Sequence, residues 1–120
     1  MSYNEHTAQR IRACLLQKSV DFEEKKMFMG ICFLVDEKML CCTHSDKITN
    51  EDLLLCRVSD EDFSEFIEDN FVEPMTMGER KMKNFLLVSE PGFEKQENLQ
   101  DWIYRCLKYN PTAKKSKKSK

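Results

Sequence analysis

Near the N-terminus, Ala8, Ile11, Cys14 and Leu15 recur at three- and four-residue steps, predicting an amphipathic helix over 3–18. Ser2 and Glu5 have the spacing of a capping box at its start. From Glu24 the period drops to two. Lys26–Val35 sets Ile31, Phe33 and Val35 on one face against Cys32 and Leu34 on the other, the signature of a strand. Gly30 within that run marks a bulge or a close backbone approach. Asp36-Glu37 reads as the hairpin turn, and because it lacks glycine the turn is expected to be wider than two residues. Met39–Thr43 is the returning strand, and a polar loop, 44–52, leads to a third strand at Leu53–Val58. Its three consecutive leucines, Leu53, Leu54 and Leu55, indicate a central strand covered on both faces.

The clearest local signal follows. Ser59 can cap a helix whose first turn holds Asp60, Glu61 and Asp62, where the helix dipole favours acids. Phe63, Phe66 and Ile67 continue it to about residue 69, with Asn70 as a left-handed stop. Phe71–Met77 reads as an edge strand limited by Pro74, residues 78–80 as a turn, and Met82–Ser89 as the return, with Phe85 and Leu87 opposed to Leu86 and Val88. Leu99, Trp102, Ile103, Cys106 and Leu107 then form the best helical stripe in the chain, over 94–109. Asn110-Pro111 closes it, because a residue preceding proline avoids the α region. The order is α-β-β-β-α-β-β-α. It predicts an α+β, two-layer fold with a mostly antiparallel sheet packed by helices on one face.

Composition narrows the function classes. The chain has 120 residues, 41% apolar and 33% charged, enough for one domain with a core of its own. We assign residues 1–110 to that domain and 111–120 to a disordered lysine-rich tail. No stretch approaches a membrane span, and the polar opening lacks an export segment, so a cytoplasmic location is expected. The net charge of −2 hides an asymmetry, for the last seven residues hold five lysines and no acid, which leaves −7 on residues 1–113. An acidic body is a poor match for duplex nucleic acid, whose binding rests on neutralising phosphates. The cations available for it are the tail with Arg10, Arg12, Arg80, Lys81 and Lys83.

Candidate chemistry is sparse. The six cysteines, Cys14, Cys32, Cys41, Cys42, Cys56 and Cys106, show no CxxC spacing and sit in apolar runs. They are expected to be reduced core residues. Cys41, Cys42 and His44 are the one close set of ligand types, and strand geometry puts Cys42 and His44 on one face and Cys41 on the other. Neither nucleotide-binding glycine loops nor hydrolase or metalloprotease motifs occur. With His6 and His44 the only histidines, acid–base catalysis has few candidates. The acids Asp60, Glu61, Asp62, Glu65, Glu68 and Asp69 read as a solvated helix face. Met27, Met29, Met39, Met75, Met77 and Met82 read as core filling, or as an adaptable docking surface.

The run from Lys25 through Met27-Phe28-Met29-Gly30 to Cys41 resembles the TfoX N-terminal domain family. Gly78 with Met82-Lys83, the strand Phe85–Ser89, and Trp102-Ile103, Cys106-Leu107 and Tyr109-Asn110 follow in the family's order. The resemblance covers about residues 10–110. Met29, Glu37 and Cys42 stand where that family is expected to carry glycine. The resemblance implies one antiparallel sheet packed by helices and, as function, bacterial regulation. Family members include regulators of natural competence that act on transcription with the cyclic-AMP receptor protein. Full-length regulators carry a C-terminal helical domain, in whose place this chain has KKSKKSK. The family brings no established catalytic residues.

The sequence therefore predicts a non-catalytic protein-interaction module of regulatory type, with no catalytic, cofactor-binding or metal residues and no cofactor. Its partner is another protein, and a sheet covered on one side favours a homodimer. Two competing expectations are direct nucleic-acid binding through the tail and surface cations, and a metal or thiol protein built on Cys41, Cys42 and His44.

Overall fold

A computed structural model describes residues 3–27, 30–77 and 79–113, the side chains of Met27, Met77, Arg80 and Lys81 excepted. The elements run α1 (Glu5–Gln17), β1 (Glu23–Met27), β2 (Gly30–Val35), β3 (Lys38–Ser45), β4 (Asp52–Arg57), α2 (Asp60–Phe66), β5 (Val72–Met77), β6 (Arg80–Ser89) and α3 (Gln96–Tyr109). Short 3-10 turns flank α3 at Glu90–Gly92 and Asn110–Thr112. The strands form one antiparallel sheet in the order β1-β2-β3-β4-β6-β5. This is the α+β arrangement that the pattern predicts, with one more strand.

The extra strand is β1. The periodicity makes one strand of Lys26–Val35, but the structure has two, antiparallel, pairing from Glu23↔Leu34 to Met27↔Gly30. Its sequence EEKKM has almost no apolar residue to alternate, so the period-two signal is missing. Exposed edge strands are commonly charged because charge discourages pairing with another chain. The opposite edge, β5, is blunted by Pro74. Leu54 is fully buried and β4 lies centrally between β3 and β6, as its leucines predict, but among the described residues helices cover only one of its two faces.

The β2–β3 hairpin departs from expectation twice. Its turn is only two residues, Asp36 and Glu37, at φ 56° and 66°, with Val35 paired to Lys38. This primed geometry follows the strand twist, although neither residue is the glycine it favours. Further on, the ladder slips between Phe33 and Leu34: Leu34 pairs with Met39 but Phe33 with Cys41, so Leu40 is an extra residue. This is a β-bulge, and it sends both Leu40 and Cys41 into the helix-side core. Gly30 is not the bulge but a close approach. A Cβ there would meet the carbonyl oxygen of Thr43 and come within 2.6 Å of the His44 Cβ.

The helices cover one face. Ala8, Ile11, Cys14 and Leu15 of α1 join Leu99, Trp102, Ile103 and Cys106 of α3 over Ile31, Phe33, Cys41, Leu54, Cys56, Leu86 and Val88. Buried polar groups fix that layer. The Asp52 carboxylate accepts from Thr7 Oγ1 at 2.6 Å, Asn4 Nδ2 at 3.1 Å and Ser45 Oγ at 3.2 Å, tying α1 to the sheet. Trp102 Nε1 donates to the Gly92 carbonyl at 3.2 Å. The Arg105 guanidinium lies 4.0 Å from the Phe66 ring and 4.6 Å from that of Trp102, joining α2 to α3.

Helix ends refine the boundaries. Asn4 caps α1, accepting from the His6 N–H at 2.9 Å, whereas the Ser2 box lies outside the described residues. Ser59 caps α2 as expected, accepting from the Asp62 N–H at 3.1 Å. That helix ends at Phe66, and the left-handed residue after it is Phe71, φ 69°, not Asn70. Asn110 keeps helical angles (φ −51°, ψ −42°) despite Pro111. It is held there by Asn110 Nδ2 donating to the Val35 carbonyl and by Lys38 Nζ donating to the Asn110 and Pro111 carbonyls at 3.1 and 3.3 Å. A buried ammonium thus neutralises the negative end of α3.

Glu37→Gly should stabilise the domain by about 1 kcal/mol, because glycine occupies positive φ without steric cost. The measurement is a thermal melt, where a rise of a few degrees is expected and an unchanged or lowered midpoint would contradict the strained turn.

Candidate functional site

The sheet has a second face, and its chemistry follows from register. Residues opposed in an antiparallel ladder share a face. Cys42↔Leu55, His44↔Leu53, Leu55↔Leu87 and Arg57↔Phe85 therefore continue one surface begun by Cys32 and Leu34. Cys32, Leu34, Met39, Cys42 and Leu55 form a buried apolar cluster there, with Met75, Phe85 and Leu87 half-buried against it. Every member comes from a strand; among the described residues no helix contributes to it. Glu23, Lys25 and Glu73 are exposed on this face at its two edges, and Arg57 stands over the Phe85 ring at 5.6 Å.

At the centre of this face Cys32 and Cys42 form a disulfide. This corrects the expectation that all six cysteines are reduced. With the two-residue turn and an uninterrupted ladder, Cys32 would oppose Cys41; the extra residue at Leu40 moves Cys42 into that place, with Cα atoms 4.1 Å apart. Four thiols remain free, at Cys14, Cys41, Cys56 and Cys106, all buried on the helix side. Burial pushes the Cys41 and Cys56 thiols well up, reinforced at Cys56 by a hydrogen bond with Cys106 and at Cys41 by its thiol neighbours Cys106 and Cys14. Such thiols are poor nucleophiles.

The other sequence candidates disperse. Cys41 faces the helices, Cys42 is oxidised, and His44 lies on the second face opposite Leu53, so the three do not converge. Among the described residues no group of three or more His, Cys, Asp or Glu side chains is arranged to hold a metal ion. Half-burial lowers the His44 pKa, against an opposing pull from Asp46. Of the candidate cations, Arg10 Nη2 donates to the Phe93 and Glu94 carbonyls at 3.0 Å each. Arg12 is paired with Glu24 and Glu5, in that order of effect, which raises its pKa further. Lys83 lies 3.9 Å from Asp60. The side chains of Arg80 and Lys81, and the whole lysine tail from residue 114, lie outside the described residues. The acids of α2 are not simply solvated: Asp60 accepts from Asn84 Nδ2 at 2.7 Å, and buried Asp62 lies 3.4 Å from the Lys108 ammonium. Met39 is buried and Met75 half-buried on the second face, while Met29 lies outside the described residues.

A cleft of about 320 Å³ opens between α1 and the start of α3, lined by His6, Thr7, Arg10, Asp52, Glu90 and Gln96 among others. Its polar groups are largely turned to the protein's own bonds. Asp52 and Arg10 are engaged as described, and Glu90 Oε1 accepts from the Asp52 N–H at 3.3 Å. The periodicity gave no sign of this cleft, because its residues come from three separate segments.

These features define a two-layer α+β domain with one helix-covered and one strand-only apolar face. The family model for the TfoX N-terminal domain matches residues 14–109, and the chain belongs to that family. Neither a curated protein nor a solved structure matches the chain. No helix among the described residues is long and apolar enough to cross a membrane.

Alkylation of unfolded protein prepared without reductant should label four cysteines per chain, rising to six after reduction; six labels before reduction would remove the Cys32–Cys42 bond. The native state resists protonating His44, so its contribution to stability is complete above the ordinary value of 6.5 and declines as pH falls below it. Urea midpoints taken from about pH 7.5 to about pH 5 should fall, and His44→Gln should flatten that limb.

Proposed function

We propose that this chain is a protein-interaction module of regulatory type, without bond-making chemistry of its own, and that it docks through the second face of its sheet. The observation that carries this reading is the half-buried trio Met75, Phe85 and Leu87, which lies over the buried apolar cluster of Cys32, Leu34, Met39, Cys42 and Leu55 on the face built from strands alone. An antiparallel sheet can leave one face to water when that face is polar, whereas this second face carries apolar side chains and helices cover only the first. Membership of the TfoX N-terminal domain family supports a regulatory role, because the sequence resemblance implies regulators of bacterial competence among its members.

A second copy of this chain is the partner that the surface fits best. Edge-to-edge pairing is discouraged at β1 by its charges and at β5 by Pro74, which leaves face-to-face packing. The rim is self-complementary: Lys25 lies on the β1 side and Glu73 on the β5 side. A two-fold axis along the strands sets β1 of one copy over β5 of the other and so brings these opposite charges together.

Light scattering on the full chain should give about twice the 14.2 kDa chain mass at micromolar concentration. Leu87→Asp, at a half-buried position on this face, should return it to monomer while circular dichroism is retained. A monomer at every concentration, with no response to Leu87→Asp, would sink the docking reading.

A further inference from the structure

The structure sorts its sulfurs by face. Four thiols are buried beneath the helices, while the two joined cysteines lie in the apolar cluster on the other side of the sheet. A bond placed only as a staple gains most by closing a long loop, because more chain entropy is removed from the unfolded state. Cys32 and Cys42 are ten residues apart in a hairpin already closed by its turn and ladder. From this placement we infer that Cys32 and Cys42 are a redox-responsive pair, cycling between disulfide and dithiol by exchange with a dithiol reductant, and that the docking face reports their state.

The inference rests on the docking reading and adds its control. A covalent sulfur pair is about 2 Å apart, whereas two thiols need roughly 3.5 Å or more. Between backbones only 4.1 Å apart at Cα, the reduced side chains must rotate away from one another. Leu34, Met39 and Leu55 pack in the same cluster and must shift with them. The apolar surface therefore has two shapes, set by one bond.

The chemistry closes without further reactants. A thiolate of the reductant attacks the sulfur of Cys42, the less deeply buried residue of the pair (5% exposed against 0% for Cys32). The Cys32–Cys42 bond breaks as a mixed disulfide forms on Cys42, and Cys32 leaves as a thiolate and takes up a proton. Lys25 stands opposite Cys32 in the ladder, on the same face, and its ammonium favours that leaving thiolate. The second thiol of the reductant, as thiolate, then displaces Cys42, which is protonated in turn. Two electrons pass to the cysteine pair, and the reductant is left as its own disulfide.

The test compares the full chain, oxidised and after dithiothreitol, by light scattering and by methyl NMR of its leucines. Reduction should change the dimer dissociation constant by about tenfold or more and shift the Leu34 and Leu55 methyl signals, and Cys32→Ala/Cys42→Ala should reproduce the reduced behaviour. If both states dimerise equally while Leu87→Asp still gives monomer, the redox control is overturned and the docking face stands. If neither reduction nor Leu87→Asp changes the mass, the docking reading falls. In that event unmoved Leu34 and Leu55 methyls overturn the two-shape face as well, whereas shifted methyls uphold it. Should the double cysteine variant fail to fold, reduced wild-type chain supplies the same comparison.

Discussion

Leu40 is one residue more than β3 needs to answer β2, and the arrangement of both faces follows from that surplus. Ladder partners alternate sides with a period of two, so a single inserted residue reverses the facing of everything beyond it. Here it lets Leu40 and Cys41 enter the helix-side core together and turns Cys42 and His44 to the other side. The same slip brings Cys42 opposite Cys32. Without it the ladder would place Cys41 there, and the thiol now buried against Cys56 and Cys106 would be drawn from the core.

The helix layer is located by a few buried polar groups at the ends of its elements. Asp52 at the start of β4 gathers Asn4 and Thr7 of the α1 segment together with Ser45 at the end of β3. Lys38 at the start of β3 holds the carbonyls that follow α3. These bonds are directional, whereas the apolar contacts between helices and sheet are not. They therefore set which turn of each helix lies over which strand. A carboxylate with three donors is satisfied as a buried acceptor, and removal of one donor would cost a buried hydrogen bond while the others remain.

Much of this was legible in the chain, and the misses share a cause. The α2 cap at Ser59, the α3 stripe, the central β4 and the edge character of β5 all declare themselves through local spacing. β1 did not, because EEKKM carries no alternation to read. The Asp36-Glu37 turn was placed correctly, but its two-residue width and the left-handed Phe71 were hidden because each uses a residue that local preference would not choose. Asn110 kept its helical angles because of bonds to Val35 and Lys38, far away in sequence. The disulfide was missed for the same kind of reason: pairing depends on register, and register depends on a bulge that no local pattern announces. One hint was present, since Cys42 stands where the family is expected to carry glycine. The second apolar face was legible only as alternation; its continuity across β2, β3, β4, β6 and β5 required the strand order.

The clasp between Lys38 and the carbonyls of Asn110 and Pro111 has a mechanical corollary. It anchors the backbone just before Ala113 to the hairpin that bears the sulfur bridge. A load or bulky attachment applied at Ala113 is therefore transmitted first to that hairpin. The exposed Ile48, in the 46–51 loop, is attached instead to the far end of β3 from Lys38, where β3 passes to β4.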